Sequence, residues 1–222
     1  MPITEWKERF DTLEQTYKRW VELGRMGERY PIRWHVGPPA TLAEIEKAEK
    51  ELGFRLPSKF RDVFLNFSGD VDIFWAIKFS ASETVMGECV WNLPALVETV
   101  KEFDDSIESF ADETDEEIRN WLTLGYGRKA FFNVKNGDCI LVTVGDNVNQ
   151  EIVYFSHDSL DLGEGHGAIL GKDFEEFIDH WSRLAFVGPD FYGFQCFLGP
   201  NGFEPDKRPG QEFQKWFFGV GQ

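Results

Sequence analysis

The stretch of sequence that decides the fold, Thr41 to Gly69, reads TLAEIEKAEKELGFRLPSKFRDVFLNFSG. Thr41 and Glu44 have the spacing of a capping box, in which each side chain bonds to the backbone of the other residue at the start of a helix. Gly53 suits the left-handed residue that ends this helix, and Pro57 suits the first turn of a second helix. We therefore predict a pair of consecutive capped helices.

The pattern of apolar residues changes after this pair. The segment Val71 to Ser80 is dense in β-branched and aromatic residues, which is typical of a strand buried on both faces. Three more short strands are predicted at Ala130–Val134, Cys139–Val144 and Glu151–Phe155, with Asn136-Gly137 as a tight turn between the first two. This order of elements predicts an α+β fold with a mostly antiparallel sheet backed by helices.

Further helices are predicted around this sheet. Helical spacing recurs from Leu96 to Phe110, and Asp173 to Glu176 resembles a second capping box. Residues 4–23 form one more amphipathic helix with Trp6, Phe10, Leu13, Tyr17 and Trp20 on its apolar stripe. Because Gly24 to Pro39 reads as a linker, we predict an N-terminal helical extension at residues 1–36 and one α+β domain at residues 37–222.

The charge composition limits the classes of partner. The chain has 39 acidic and 23 basic residues, a formal net charge of −16, which argues against binding to a nucleic-acid backbone because phosphates need cations. A protein partner with a basic surface fits better, although the same charge could serve solubility alone. Neither an export signal nor an apolar stretch of membrane-spanning length is found, so we expect a cytoplasmic protein without membrane contact.

Few residues suggest chemistry. The three cysteines are far apart and the four histidines form no helical metal-binding pair, so we expect no metal and no cofactor. Ser156-His157-Asp158 contains the residue types of a catalytic triad, but neighbouring side chains near a strand end point in alternating directions. Gly163 to Ala168 formally matches a dinucleotide-binding pattern without the preceding buried strand. We expect loops at both places and no enzymatic activity.

The order of motifs resembles that of a known group of proteins. The capped helix from Thr41, the run EKELGFRLP at residues 49–57, then Phe60, Leu65 and the stop at Gly69 are similar to the SUKH superfamily. This superfamily groups the fungal cell-wall-assembly regulator with many bacterial immunity proteins. The resemblance extends over residues 37–185, where the strands and the helix after Asp173 follow the family's order.

This resemblance implies an α+β domain without a general catalytic site. Many bacterial members of the superfamily are cytosolic antidotes that bind a secreted toxin, often a nuclease, and other members act as signalling hubs. The resemblance therefore favours an immunity protein that neutralises a cognate bacterial toxin, with a scaffold or regulatory interaction module as the alternative.

An acidic run is the strongest candidate for a partner-binding surface. Dense negative charge steers cationic partners, and the nucleic-acid groove of a nuclease is cationic. A solvated helix face followed by a loop remains the alternative interpretation. The candidate residues are Asp104, Asp105, Glu108, Asp112, Glu113, Asp115, Glu116 and Glu117, with no basic residue among them.

Overall fold

The computed structural model describes residues 5–25, 33–80, 83–110, 112–134, 136–145, 150–157, 165–188 and 190–219. Its helices are α1 (Trp6–Glu22), α2 (Leu42–Leu52), α3 (Ser58–Asn66), α4 (Leu93–Glu108), α5 (Glu116–Leu122), α6 (Phe174–Arg183), α7 (Phe191–Phe194) and α8 (Arg208–Phe218). Its strands are β1 (Arg33–Val36), β2 (Asp70–Lys78), β3 (Thr84–Asn92), β4 (Arg128–Asn133), β5 (Cys139–Thr143), β6 (Ile152–Phe155), β7 (Ile169–Gly171), β8 (Leu198–Gly199) and β9 (Gly202–Phe203).

Every strand pair in this structure is antiparallel. The first sheet has the order β1-β2-β3, the second β4-β5-β6-β7, and β8 and β9 form a small hairpin. Helices cover both large sheets. The predicted fold class, a mostly antiparallel α+β fold, is confirmed.

The predicted helix pair is confirmed, except that Pro57 is the N-cap residue of α3 and lies just before its first turn. The Thr41 hydroxyl accepts from the Glu44 amide at 3.3 Å, and the Glu44 carboxylate accepts from the Thr41 amide at 2.7 Å. Gly53 ends α2 at a φ of 75°, a left-handed conformation that glycine adopts without steric cost. The apolar face of α3 places Phe60 and Val63 in the core.

The predicted linker between Gly24 and Pro39 is partly wrong, because residues 33–36 form β1. Arg33 lies opposite Phe74 in the register with β2, so the first sheet begins before the helix pair. The sequence also gave no prediction for β3, which pairs along the whole of β2. The domain boundary at residue 36 stays a prediction.

Helix α1 packs into the same core as the first sheet. The five predicted stripe residues are all buried. The Phe10 ring contacts Phe67 at 4.7 Å and Phe186 at 5.4 Å between centroids. The Trp20 indole donates to the Phe217 carbonyl in α8 at 3.1 Å. Residues near both ends of the described chain therefore contribute to the central packing.

The second sheet lies between two apolar clusters. Ile140 and Tyr154 are fully buried in the larger cluster, together with α3 and α6. Leu141 and Val153, which alternate with them along the strands, face a smaller cluster formed with α4 and α5. This alternation follows from the two-residue period of a strand, and it places Phe103 near the end of α4, with Trp121 of α5, on the opposite face of the sheet from α6.

A strained turn joins α6 to the edge of the first sheet. Ala185 and Phe186 have φ of 52° and 59°, and both are fully buried. Left-handed non-glycine residues persist only where surrounding contacts fix them. Here the Ala185 carbonyl accepts from the Trp75 indole at 2.6 Å, and the Phe186 carbonyl accepts from the Glu88 amide at 3.0 Å.

Candidate protein-binding surface

The acidic run lies at the end of α4, in the following turn and at the start of α5. Its apolar residues anchor it, because Phe103 and Trp121 pack in the smaller cluster against Phe155 at 5.3 and 4.8 Å between ring centroids. The Trp121 indole also donates to the Ser156 carbonyl at 2.7 Å. The acidic side chains are therefore carried by helices that are fixed to the second sheet.

Three of the predicted surface residues accept hydrogen bonds from other described residues. Asp104 accepts from the ammonium of Lys129 at 2.6 Å. Glu113 accepts from the amide of Asp115 at 2.8 Å, and Asp115 itself caps α5 by accepting from the Glu117 amide at 2.8 Å. The Lys129 contact ties α4 to β4, and the Asp115 cap fixes the start of α5.

The remaining five predicted residues project into solvent. Within the part of the chain that the structure describes, none of them makes an ion pair. They are Asp105, Glu108, Asp112, Glu116 and Glu117, all exposed.

The charges at the end of α4 oppose local stability. The last turn of this helix contains Asp105 and Glu108 but no basic residue. The carboxyl end of a helix carries partial negative charge, so each such carboxylate costs about 0.3–1 kcal/mol where a cation would stabilise by a similar amount. Helix stability therefore does not explain why these carboxylates stand here.

A second polar cluster, at the turn between β4 and β5, escaped the sequence analysis. The carboxylate of Asp138 accepts from the backbone amide of His157 at 2.8 Å, from its ring Nδ1 at 2.7 Å and from Asn136 at 2.6 Å. The hydroxyl of Tyr154 donates to the same carboxylate. Burial alone would raise the pKa of Asp138, but these hydrogen bonds outweigh it and lower that pKa.

Asp138 orients the imidazole ring of His157 through the hydrogen bond to Nδ1, and about half of the His157 side chain is exposed. Among the described residues, no hydroxyl or thiol bonds to the second ring nitrogen, so the pair lacks the nucleophile of a triad. Asp158 of the sequence motif lies outside the described residues, as do Gly163 and Glu164 of the glycine-rich motif. In the described part of the chain, these hydrogen bonds join the start of β5 to the end of β6.

Two tryptophans that could have served as interface anchors lie in the core instead. Trp75 and Trp91 are 1% and 4% exposed. The Trp91 indole donates to the Ser68 carbonyl at 3.1 Å, which ties the end of the helix pair to β3. Their aromatic rings are therefore not available to a partner.

The antiparallel sheets and the helices packed on them define the class of an α+β domain. Residues 39–180, more than half of the chain, match the sequence model of the SMI1/KNR4 family (SUKH-1). The chain belongs to this family, whose members are generally non-enzymatic binding domains. No curated protein sequence matches the chain.

None of the helices among the described residues combines the length and the apolar character needed to cross a bilayer. No three histidine, cysteine, aspartate or glutamate side chains in these segments come together as ligands for a metal ion.

Proposed function

We propose that this chain is a bacterial immunity protein that acts in the cytoplasm, where it binds and neutralises a cognate protein toxin. The partner is a toxin with a basic surface, such as a nuclease, and the chain binds no nucleic acid itself. We assign its contact to the acidic surface, defined as Asp104, Asp105, Glu108, Asp112, Glu113, Asp115, Glu116 and Glu117.

The uncompensated negative charge at the end of α4 carries this proposal. Asp105 and Glu108 reduce helix stability and make no described ion pair. Charges that cost stability in the free protein are explained if a cationic partner compensates them in the complex. The burial of Phe103 and Trp121 beneath them keeps these charges in place before the partner arrives.

Charge reversal of the acidic surface tests the proposal. The chain is co-expressed with the toxin encoded beside its gene, and toxin binding is measured by titration calorimetry. We expect Asp105→Lys with Glu108→Lys to weaken binding about tenfold to a hundredfold, because two attractions become repulsions. The matched control is Glu22→Lys with Glu46→Lys, which changes the net charge equally at exposed positions of α1 and α2.

Two outcomes would contradict parts of this proposal. If the control pair weakens binding as much as the α4 pair, the net charge and not this surface attracts the toxin. If the neighbouring toxin is neither bound nor neutralised, the immunity function is wrong.

A scaffold or regulatory module of the cell-wall-assembly-regulator type is the second candidate. Family membership supports it equally, because the family includes both kinds of protein-binding domain. Affinity purification from the native cell separates the two: an immunity protein returns one dominant partner, whereas a scaffold returns several endogenous proteins.

A further inference from the structure

A cleft of about 540 Å³ lies between the end of the β2–β3 strand pair and helix α8. The strand pair contributes Val85 and the two residues that flank its end, and α8 contributes three side chains. Helix α8 lies outside the residues that match the family model, so the cleft joins a strand pair of the family domain to a helix beyond it. The lining residues that matter for binding are Phe79, Glu83, Val85, Glu212, Phe213 and Trp216.

Three aromatic rings form one apolar patch in this cleft. The Trp216 ring lies 5.3 Å from Phe79 and 5.5 Å from Phe213 between centroids. Phe79 is 53% exposed, and the other two residues are half-buried. Single exposed apolar side chains are ordinary on a protein surface, whereas contiguous apolar patches rimmed by polar groups are typical of binding sites.

Contacts behind the patch hold its rings in place. Trp216 contacts Trp20 of α1 at 5.3 Å between ring centroids. At the end of the strand pair, the Phe79 amide donates to the Glu83 carbonyl at 2.9 Å. A partner therefore meets rings that are already positioned, which lowers the entropy cost of binding.

The charged groups among the described lining residues are both carboxylates. Glu83 is exposed and forms no described ion pair. Glu212 pairs with Arg208 at 2.8 Å, but the two side chains are 64% and 87% exposed. Exposed pairs contribute little because water screens them, so an incoming cation can replace Arg208. The cleft is therefore complementary to a cation that also contacts aromatic rings.

We propose that this cleft binds an arginine side chain of a partner protein, presented beside an apolar residue. The planar guanidinium stacks on aromatic rings and donates two parallel hydrogen bonds to a carboxylate, whereas the ammonium of lysine is compact and strongly hydrated. The neighbouring apolar residue covers the part of the patch, including Val85, that the guanidinium leaves exposed. This site shares no residue with the acidic surface, and the proposal does not depend on the immunity function.

Selection from a displayed library of random ten-residue peptides tests this proposal. Peptides that bind the double variant Phe79→Ala with Glu83→Gln are removed first, because they bind elsewhere, for instance on the acidic surface. Selection on the unaltered full chain should then enrich peptides with an arginine next to an apolar residue. The best peptide is synthesised and titrated by calorimetry, and replacing its arginine by lysine should weaken binding severalfold.

The same peptide is then titrated against single variants of the cleft. We expect Phe79→Ala to weaken binding about threefold to tenfold and Glu83→Gln to weaken it about twofold to fivefold. The matched controls are Tyr192→Ala, an aromatic residue 70% exposed outside the cleft, and Glu46→Gln, an exposed carboxylate of α2. Both controls should leave the affinity unchanged, and thermal melts confirm that all variants remain folded.

Several results would overturn the proposal. They are a selection that enriches no peptide, enriched peptides without arginine, a lysine peptide that binds equally well, cleft variants that bind the peptide normally, and a control that weakens binding as much as the cleft variants. Analytical ultracentrifugation of the chain alone tests the other occupant. A dimer that Phe79→Ala dissociates would mean that a second copy of the chain covers the cleft.

Discussion

Asp138 is an almost fully buried carboxylate that receives hydrogen bonds from Asn136, Tyr154 and His157. It joins the turn before β5 to the end of β6. Since an aspartate in the unfolded chain titrates near pH 4 and the folded pKa of Asp138 is lower, its contribution to stability is complete above about pH 4. The contribution is lost as the pH falls through the folded pKa.

We expect Asp138→Asn to lower the free energy of unfolding at pH 7 by about 2–3 kcal/mol, because an amide cannot accept from all of these donors. The variant should also lose less stability than the wild type between pH 5 and pH 3. Urea unfolding at pH 7, 5 and 3 measures both effects. The control is Asp62→Asn, an exposed aspartate of α3, and equal losses in the two variants would contradict the role of the buried carboxylate.

At the scale of the element, the caps of α2 follow from local sequence alone. Thr41→Ala removes the hydroxyl that accepts from the Glu44 amide. We expect a loss of about 1 kcal/mol in the free energy of unfolding, with most of it restored in Thr41→Ser, which keeps the acceptor. Chemical denaturation of the three proteins tests this, and an alanine variant as stable as the wild type would show that the capping box contributes nothing.

At the end of α4, in contrast, we expect substitution to increase the free energy of unfolding. Asp105→Asn with Glu108→Gln removes negative charge from the carboxyl end of the helix, and we expect a gain of about 0.5–1.5 kcal/mol at low salt that shrinks at high salt. Thermal melts at two salt concentrations measure it. The control, Glu46→Gln in the middle of α2, should change stability little, and destabilisation by the α4 pair would refute the repulsion.

How far each element could be predicted depended on the range of its contacts. The α2–α3 pair was predictable because caps and apolar spacing are local. Strand β1 was missed because four residues among prolines and glycines become a strand only through pairing with β2, more than thirty residues away. In β3, Gly87 and Glu88 interrupt the apolar pattern, although Glu88 is buried in the structure and forms an ion pair with Arg33.

The surface residues divide in the same way. Exposure of Asp105 and Glu108 follows from helical spacing, since the buried stripe of α4 runs through Val100 and Phe103. The contact of Asp104 with Lys129 could not be predicted, because it joins a helix to a strand through tertiary packing. The hydrogen bonds of Asp138 with Tyr154 and His157 could not be predicted for the same reason, although the preceding Asn136-Gly137 turn was predicted.

At the scale of the whole molecule, α1 and α8 lie outside the family match but share its core. Arg9 of α1 donates to the Asp179 carboxylate of α6 at 2.8 Å, and Trp20 bonds to α8. From this packing we expect the described chain to unfold as one cooperative unit, although residues 1–36 are predicted to be an extension.

We therefore expect Leu13→Ala, at a side chain 1% exposed in α1, to lower the global free energy of unfolding by about 3–4 kcal/mol. The control Val21→Ala, on the exposed side of the same helix, should cost less than about 0.5 kcal/mol. Urea unfolding followed by tryptophan fluorescence and by circular dichroism measures the change. Two separate transitions in the Leu13 variant would mean that α1 unfolds independently.

The left-handed turn at Ala185 and Phe186 bears on the order in which the molecule assembles. Its contacts reach α1 through Phe10, β2 through Trp75 and β3 through Glu88, so few of them exist until those elements have met. Interactions formed after the rate-limiting step lower the unfolding rate without raising the folding rate.

We expect Phe186→Leu to accelerate unfolding severalfold while the refolding rate stays nearly constant. Stopped-flow measurements of both rates test whether the turn forms after the rate-limiting step. A slower refolding rate in the variant would instead place the turn in the folding nucleus.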